Sequence, residues 1–338
     1  MRASIRSIAA HCGVSTATVS RALAGHESVL PATRRKIEKA AKEQGYARNH
    51  LVGSMMAHLR LARAEAFVGN LAVIHVPSAG QTQPGPQQRR IMQGAQTRAR
   101  ELGFQLYHFS LGAAGMRLEA VVRMLRARGV LGVIFLHSQP TPQPLAFPWG
   151  EFVSLELDYG ERVPTLHTVC HDHFATLTAA LMRLQAAGYG RAGLFIERFK
   201  DERTGFRWSA AFRAFQESRG GMGDVPVLSV EAMNEAAFTA WYRAHRPDLV
   251  IGHFDDCIGW LGKLNRRVPK DAGFFNLNWE ARHAPCAGID PRLELQGAVA
   301  AETLVGQVQR GERGRPEVPR TVRVPGRFVE GPTVRATG

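Results

Sequence analysis

From about residue 67 onward, short apolar runs alternate with amphipathic segments, and this alternation restricts the fold more than any other feature. The amphipathic segments are predicted helices, because apolar residues recur in them at helical spacing; Leu177, Leu181 and Leu184 in segment 172–187 are an example. Continuous apolar strands separated by helices indicate parallel sheets covered on both faces. The predicted strands are LAVIHV (71–76), FQLYHF (104–109), LGVIFL (131–136), FVSLEL (152–157), AGLFI (192–196), VPVLSV (225–230), DLVIG (248–252) and AGFFNL (272–277).

The alternation runs through twice, with a division near residues 158–166. Two doubly wound α/β lobes, each of roughly 100–150 residues, are therefore expected. Sheets of this kind bind ligands at the carboxyl ends of their strands, so the predicted site is a cleft between the lobes.

Composition limits the class of protein. The 338 residues suggest roughly two domains, and 45% hydrophobic residues argue against wholesale disorder. No apolar run approaches the ~18 residues of a membrane span, and the N-terminus lacks the apolar stretch of a signal peptide. A soluble, cytoplasmic protein is expected. The four cysteines form no C-x-x-C pair, which argues against a zinc ribbon and a disulfide scaffold.

The excess positive charge is concentrated near the N-terminus. Of a formal net charge of +14, residues 1–63 carry +8, from eleven Lys and Arg against three Glu. A basic segment on a nearly balanced body indicates a polyanion-binding module, and the alternative is an ordinary solvated basic face. A second basic run, Arg310 to Arg327, is interrupted by Glu and Pro and is predicted to be a surface loop.

The basic N-terminal segment has the spacing of a helix-turn-helix. Ala9 is small where two helices cross, Gly13 permits a turn with positive φ, and Val19 faces inward from the second helix. Ser15 is a natural N-cap for that helix, because its hydroxyl accepts a hydrogen bond from an otherwise unpaired N–H. Pro31 is a favoured first residue for a third helix.

Residues 4–49 resemble the DNA-binding head of the lactose-repressor (LacI/GalR) family. The matching pieces are GVS, ATVSRAL, TRRKI and GYARN. The resemblance implies an all-α helix-turn-helix head at 1–48, a hinge helix and linker at 49–63, and an effector-binding and dimerisation body at 64–338.

The second helix is expected to enter the major groove by its N-terminal end. Arg21 has the fork geometry for a guanine edge or a phosphate oxygen, Thr16 suits a base edge, and Ala17 packs only on an apolar edge. For each side chain the alternative is an exposed polar residue without a DNA contact. The candidate DNA-binding residues of the head are Ser15, Thr16, Ala17, Thr18, Ser20, Arg21, His26 and Ser28.

The stretch NHLVGSMMAHL (49–59) occupies the place of the family's hinge helix, which forms on operator DNA. The resemblance implies that Asn49 contacts DNA and that Met55 wedges into the minor groove. Arg48 replaces the family's proline, and Gly53 lowers helix propensity by roughly 1 kcal/mol relative to Ala. The alternative is that the apolar residues of the stretch pack between heads and body.

The remainder resembles the family's body more weakly, chiefly in PDLVIGHFDD (247–256) and RRVPKDAGFFNLNW (266–279). The resemblance implies two periplasmic-binding-protein-like lobes with parallel sheets, joined by three crossovers. The first lobe is expected at about 67–163 and 289–320, and the second at about 164–288 and 321–335.

An effector site follows from the same resemblance. Arg207 matches an effector-contacting arginine, and an Arg with short polar side chains suits sugar hydroxyls. Trp208, Trp260 and Trp279 either stack on a sugar face or pack in the core. The segment QTQPGPQQRR (81–90) lacks the family's effector contacts, so the ligand's identity is not readable. The candidate effector-binding residues are Arg207, Asp255, Asn278, Ser138 and Trp279.

Catalysis is not expected, because G-x-S-x-G, the P-loop and G-x-G-x-x-G are all absent from the sequence. His167, His171, Asp172 and His173 form a cluster that resembles a metal site, but neither a metal nor a cofactor is expected. The sequence therefore predicts a homodimeric transcriptional regulator that represses from a pseudo-palindromic double-stranded operator and responds to a small molecule, expected to be a carbohydrate. The alternative is a solute-binding protein without a regulatory role.

Overall fold

The computed structural model describes residues 5–23, 29–44, 67–78, 82–138, 145–158, 165–218, 222–281 and 285–336. The chain divides into two compact units, Met1–Ala66 and Phe67–Gly338, called here the head and the body. Among the described residues, no helix is both long enough and apolar enough to cross a membrane.

The head contains three helices, α1 (Ile5–Cys12), α2 (Thr16–Leu23) and α3 (Pro31–Glu43). The local signals of the sequence act as predicted: Gly13 has φ +66°, and Pro31 lies in the first turn of α3. Ser15 caps α2, because the Thr18 N–H donates to its Oγ at 3.1 Å.

Small and β-branched side chains form the core of the head. Lys36 on α3 ties that core to the end of α1, because its Nζ donates to the Cys12 carbonyl at 3.2 Å and so satisfies an unpaired helix-end acceptor. The buried residues are Ile8, Ala9, Cys12, Val19, Ala22, Val29, Ile37, Ala40 and Ala41.

The body alternates strands and helices as the apolar pattern predicts. Its elements are β1 (Gly69–Val76), α4 (Pro86–Glu101), β2 (Phe104–Ser110), α5 (Leu118–Ala127), β3 (Val130–His137), β4 (Val153–Leu157), β5 (His167–His171), α6 (His173–Ala186), β6 (Ala192–Glu197), α7 (Arg198–Arg203), α8 (Arg207–Glu217), β7 (Leu228–Val230), α9 (Glu235–His245), β8 (Leu249–Gly252), α10 (Asp256–Lys263), β9 (Gly273–Asn276), β10 (Ala287–Asp290), α11 (Leu293–Arg310), β11 (Thr321–Val324) and β12 (Arg327–Val329). Short 3-10 turns lie at Ala113–Gly115 and Trp149–Glu151.

Two six-stranded sheets form the two lobes. The first has the order β11-β5-β4-β3-β1-β2, with every pair parallel. The second has the order β12-β10-β9-β8-β6-β7, and its edge strand β12 runs antiparallel. Helices cover both faces of each sheet: α4 and α11 oppose α5 on the first, and α6 and α8 oppose α9 and α10 on the second. This is the α/β architecture that the sequence predicts.

The chain crosses between the lobes three times, from β5 to α6, from β10 to α11 and from β11 to β12. The expected lobe boundaries at 163/164 and 320/321 are therefore wrong, because β5 and β11 both belong to the first sheet. The segment HTVCH (167–171) is polar, yet it is buried throughout. The search for apolar runs did not predict this strand, because its sequence contains polar residues. These can be buried because they have hydrogen-bond partners; the Arg320 N–H, for example, donates to His167 Nδ1 at 3.0 Å.

The prediction of a surface loop over Arg310 to Arg327 is also wrong in part. Residues 312–320 are irregular, but β11 follows and extends the first sheet. Because β11 is an edge strand whose first three residues are exposed, its sequence lacks the apolar signature of the central strands.

Helices α4 and α11 cross so closely that two glycines are required at the contact. A Cβ on Gly297 would lie 1.9 Å from the Ile91 carbonyl oxygen, and one on Gly94 would lie 1.9 Å from that of Glu294. Arg90 flanks the crossing with two hydrogen bonds to the Glu294 carboxylate, at 2.6 and 2.8 Å.

We expect Gly297→Ala to destabilise the body by about 1–3 kcal/mol, since the added methyl forces backbone displacement between two packed helices. Chemical denaturation followed by tryptophan fluorescence measures this, because all five tryptophans lie in the body. Gly259→Ala on α10 is the matched control: its Cβ meets nothing within 4 Å, and Ala there should be neutral or stabilising by up to about 1 kcal/mol. Equal stability of Gly297→Ala and the wild type would contradict this account of the helix crossing.

Candidate functional site

The carboxyl ends of both sheets face a cavity of about 450 Å³ between the lobes. Loops after β3, β4 and β5 line it from the first lobe, and loops after β6, β8 and β9 line it from the second. The N-terminal turn of α4 also contributes, through Gln87 and Gln88. The position follows from topology, because parallel strands bring the loops that follow them to the same edge of a sheet.

The structure brings three of the five predicted effector residues together. Ser138, Asp255 and Asn278 line the cavity. Arg207, the first residue of α8, and Trp279 are not among the described lining residues; the Trp279 indole N–H donates to the Cys286 carbonyl at 2.9 Å. Effector contacts by these five residues remain predictions.

Two contacts join the lobes across the cavity. The Arg203 guanidinium on α7 donates to the Asp158 carboxylate that follows β4. The Gln87 side-chain amide on α4 donates to the Glu280 carboxylate in the second lobe at 3.0 Å. Both link groups that separate when the lobes move apart, so they hold the cleft in a closed arrangement.

Four histidines in the cleft are uncharged near neutral pH. Burial lowers the pKa of His137 to about 4 and that of His171 to about 4. Burial likewise holds the pKa of His173 and that of His253 well below the ordinary imidazole value. A neutral imidazole offers one donor and one acceptor nitrogen, so these rings suit polar uncharged partners.

The Trp208 ring lies beside three of these imidazoles. Its ring centroid lies 4.7 Å from that of His173, 5.9 Å from that of His171 and 6.1 Å from that of His253. Trp208 is itself only 3% exposed. Of the alternatives of sugar stacking and core packing, the described contacts of Trp208 are those of a core residue whose edge reaches the cavity.

Two of the cleft histidines carry unsatisfied atoms. Among the described residues, His137 Nδ1 and His253 Nδ1 are buried without a hydrogen-bond partner. His137 ends β3 in the first lobe and His253 follows β8 in the second, so each lobe contributes one such imidazole to the lining of the cavity. An unpaired buried nitrogen costs free energy, which a ligand hydroxyl would recover. Sequence reasoning missed both residues, although each stands at the carboxyl end of a predicted strand.

Lys200 places a fixed positive charge at the cavity wall. Its Nζ lies 3.0 Å from Glu197 Oε2 and 4.1 Å from the centroid of the Phe254 ring. Burial lowers the pKa of Lys200, which Glu197 partly opposes. The charge is therefore already balanced within the second lobe.

The histidine cluster of the sequence divides in the structure. His167 lies at the opposite end of β5 from the cavity, beside Arg320, whereas His171 and His173 lie at the cavity. Within the described part of the chain, no three His, Cys, Asp or Glu residues are placed to hold a metal ion.

The predicted DNA-binding residues are only partly within the described structure. Ser15 is exposed just before α2, and its Oγ is 2.9 Å from Thr18 Oγ1. Thr16, Ala17, Ser20 and Arg21 lie on α2, but their side chains are outside the described set, as are residues His26, Ser28, Asn49 and Met55. DNA contacts by these residues remain predictions.

A helix-turn-helix head joined to a two-lobed body with a ligand-sized cleft defines the class of ligand-responsive DNA-binding regulators. Residues 4–49 match the model of the bacterial regulatory proteins, lacI family. The chain is 26% identical to the HTH-type transcriptional regulator CelR of Thermobifida fusca, with 93% of this chain and 94% of CelR covered. The head therefore matches the lacI family, and the whole chain is similar to a regulator with a helix-turn-helix, in line with the resemblance predicted from the sequence.

Solved structures of similar regulators share the fold. A CelR–cellobiose complex matches with a TM-score of 0.58 at 22% identity, covering 98% of this chain and 100% of the other. The lac repressor dimer bound to operator and the anti-inducer ONPF matches with a TM-score of 0.55 at 18% identity, covering 99% and 100%. The predicted fold class is confirmed.

The neutral cleft histidines make the stability of the body pH-dependent. His137 and His171 take up protons in the folded chain only near pH 4, whereas an unfolded imidazole does so near 6.5. Between these values the unfolded chain binds more protons, so the free energy of unfolding falls as pH falls. Each such histidine contributes a loss of about 1.4 kcal/mol per pH unit.

We expect His137→Gln to reduce this slope by about one proton, measured by denaturation at several pH values from 7 to 4.5. His11→Gln, which removes an exposed histidine in the head, is the control and should leave the body's slope unchanged. An unchanged slope in His137→Gln would contradict the assignment of a neutral buried imidazole.

Proposed function

We propose that the protein is a homodimeric repressor whose affinity for operator DNA changes when a carbohydrate binds between the lobes. The observation that carries the effector part is the cleft itself: lobe-bridging contacts close it, and each lobe lines it with one imidazole that has an unsatisfied nitrogen. A ligand that occupies this cavity contacts both lobes at once, so its binding energy depends on their arrangement.

The chemistry of the cavity favours a polyhydroxylated ligand. A sugar hydroxyl both donates and accepts, so it pairs with His137 Nδ1 and His253 Nδ1 whichever nitrogen of each ring carries the proton. Asn278 and Asp255 of the second lobe and Gln296 of the first add amide and carboxylate groups to the lining of the cavity. Because the relative CelR has been solved with cellobiose, cellobiose is the first probe to test.

The head supplies the DNA contacts in this proposal. With the boundaries expected from the sequence, residues 1–48 bind the major groove, 49–63 form the hinge, and 64–338 form the dimerising body. A two-fold dimer presents two equivalent α2 helices, which explains why a pseudo-palindromic operator is expected. The lac repressor relative is a dimer bound to operator, which supports this assembly.

The coupling between the two sites is thermodynamic linkage. A carbohydrate that binds one arrangement of the lobes more tightly shifts the population toward that arrangement, and by reciprocity operator DNA changes the affinity for the carbohydrate by the same factor. Such a protein works in the cytoplasm, where its DNA lies, and it needs no catalytic group or cofactor.

For the head, we expect Arg21→Ala to lose sequence-specific operator binding and to keep weak, salt-sensitive binding to any duplex. Titrating the full chain against operator and scrambled duplex measures the ratio of the two affinities. Arg213→Ala, which removes an exposed arginine of the second lobe, is the control. A specificity ratio equal to that of the wild type would refute the role of Arg21.

For the cleft, we expect Arg203→Gln to weaken carbohydrate binding at least tenfold, because a charged hydrogen-bond donor at the cavity wall is lost together with the bridge to Asp158. The readout is the ligand-induced rise in Tm in a screen of cellobiose, other sugars and sugar acids. Operator binding without ligand is measured in parallel, to separate this effect from misfolding.

Arg207→Gln in the same screen tests the arginine expected from the sequence. A loss of the Tm response with operator binding intact would support a ligand contact by Arg207. If no sugar or sugar acid raises the Tm of the wild-type protein, the carbohydrate assignment fails.

A further inference from the structure

The end of the first lobe opposite the cleft carries arginines that the body's own carboxylates do not neutralise. Four of them, Arg100, Arg128, Arg313 and Arg315, are exposed and have no carboxylate partner among the described residues; together they are called the basic edge. Glu101, Glu151 and Glu312 nearby are already engaged by other arginines, and Glu317 in the loop of Arg313 and Arg315 offsets only one of the four charges. The basic edge therefore carries a net positive charge.

The chain holds two of these guanidinium groups in place. The Arg128 guanidinium lies 4.6 Å from the centroid of the Tyr107 ring, and that of Arg315 lies 4.8 Å from the centroid of the Trp149 ring. A stacked guanidinium keeps its N–H edges free for an anion, and less side-chain entropy is lost when the anion binds.

The loop that carries Arg313 and Arg315 is bonded to the first lobe at two points, between these two arginines and at its end. The Gly314 N–H donates to the Phe152 carbonyl at 3.2 Å, beside the start of β4. The Thr168 N–H donates to the Arg320 carbonyl at 2.9 Å, at the start of β5.

Helix C-termini commonly carry basic residues, which accounts for Arg100 and Arg128. It does not account for Arg313 and Arg315, which follow the end of α11.

The strand connectivity indicates which anion meets this surface. The basic edge lies where the strands of the first sheet begin, and β1, the first strand after the head, begins there at Gly69. The chain from the DNA-binding head therefore enters the body at this edge. An extended polyanion that the head already holds is the partner whose charge complements several exposed guanidinium groups at one end of the lobe.

We propose that the basic edge binds the phosphate backbone of duplex DNA that flanks the operator. The proposal rests on the proposed DNA-binding function and adds a second, sequence-independent contact made by the body. Because each neutralised phosphate releases condensed counterions, each contact should steepen the dependence of log Kd on log salt concentration by about 1.

The test uses the full chain and two duplexes. An operator is first selected from a random duplex library, then prepared with minimal flanks and with about one extra helical turn, ~10 base pairs, on each side. Fluorescence anisotropy gives Kd across a series of salt concentrations. We expect the wild type to bind the longer duplex more tightly and with a steeper salt dependence.

The double variant Arg313→Gln/Arg315→Gln should lose the advantage of the longer duplex and leave binding to the shorter duplex unchanged. Arg313→Gln alone should lose part of the advantage of the longer duplex. Because Arg313 has no ring contact among those described, this loss would not come from altered packing at Trp149. The matched control, Arg213→Gln/Arg243→Gln, removes the same charge from exposed positions of the second lobe and should behave as the wild type.

Three outcomes overturn the proposal. Equal wild-type affinity for both duplexes refutes the flanking contact while leaving operator recognition intact. If the edge variant and the second-lobe control lose the same amount of affinity for the longer duplex, the effect comes from net charge and not from a contact at the basic edge. Failure to select any operator refutes the proposed DNA-binding function itself, and the flanking contact with it.

Discussion

Three crossovers hold the carboxyl ends of two parallel sheets against each other, and the cleft depends on this constraint. The crossing strands are packed without slack: a Cβ on Gly326 would lie 2.8 Å from both His171 Nε2 and Ile289 Cγ2. The Gly326 N–H donates to Thr176 Oγ1 at 3.0 Å, and Arg327 donates to the Asp290 carboxylate at 2.9 Å. Because the hinge segments bond to one another, a change in lobe angle requires all three to rearrange together.

This hinge region and the cleft wall share residues, which ties ligand binding to lobe geometry. His171 and His173 flank the first crossover and also line the cavity. Their rings meet the edge of Trp208, which belongs to the second lobe. A ligand that bonds to this wall therefore acts on groups that also position the lobes, and no separate relay is needed. The same burial that keeps these imidazoles neutral also strengthens their hydrogen bonds to an uncharged ligand, because the local dielectric constant is low.

The elements that sequence reasoning found and those it missed differ in one physical respect. Strands such as β3 and β9, buried on both faces, read as apolar runs that end in one polar residue, His137 and Asn276, because a polar side chain buried along the strand is costly. Strand β5 holds buried histidine and threonine that have partners distant in the chain, as with His167 and Arg320, whereas β11 holds threonine and arginine at an exposed sheet edge. Lobe boundaries based on apolar runs were misplaced for that reason.

The sequence by itself determined the head, with its resemblance to the lacI family, and the alternation of strands and helices, because caps, turns and apolar periodicity are encoded within a few residues. Only the tertiary structure decided which side chains meet in the cleft. His137 and His253 lie more than a hundred residues apart, and Arg203 lies on the helix before the one that begins with the arginine favoured by the sequence. Side chains brought together by sheet topology carry no local signature, since their contact depends on how two separately folded lobes face each other.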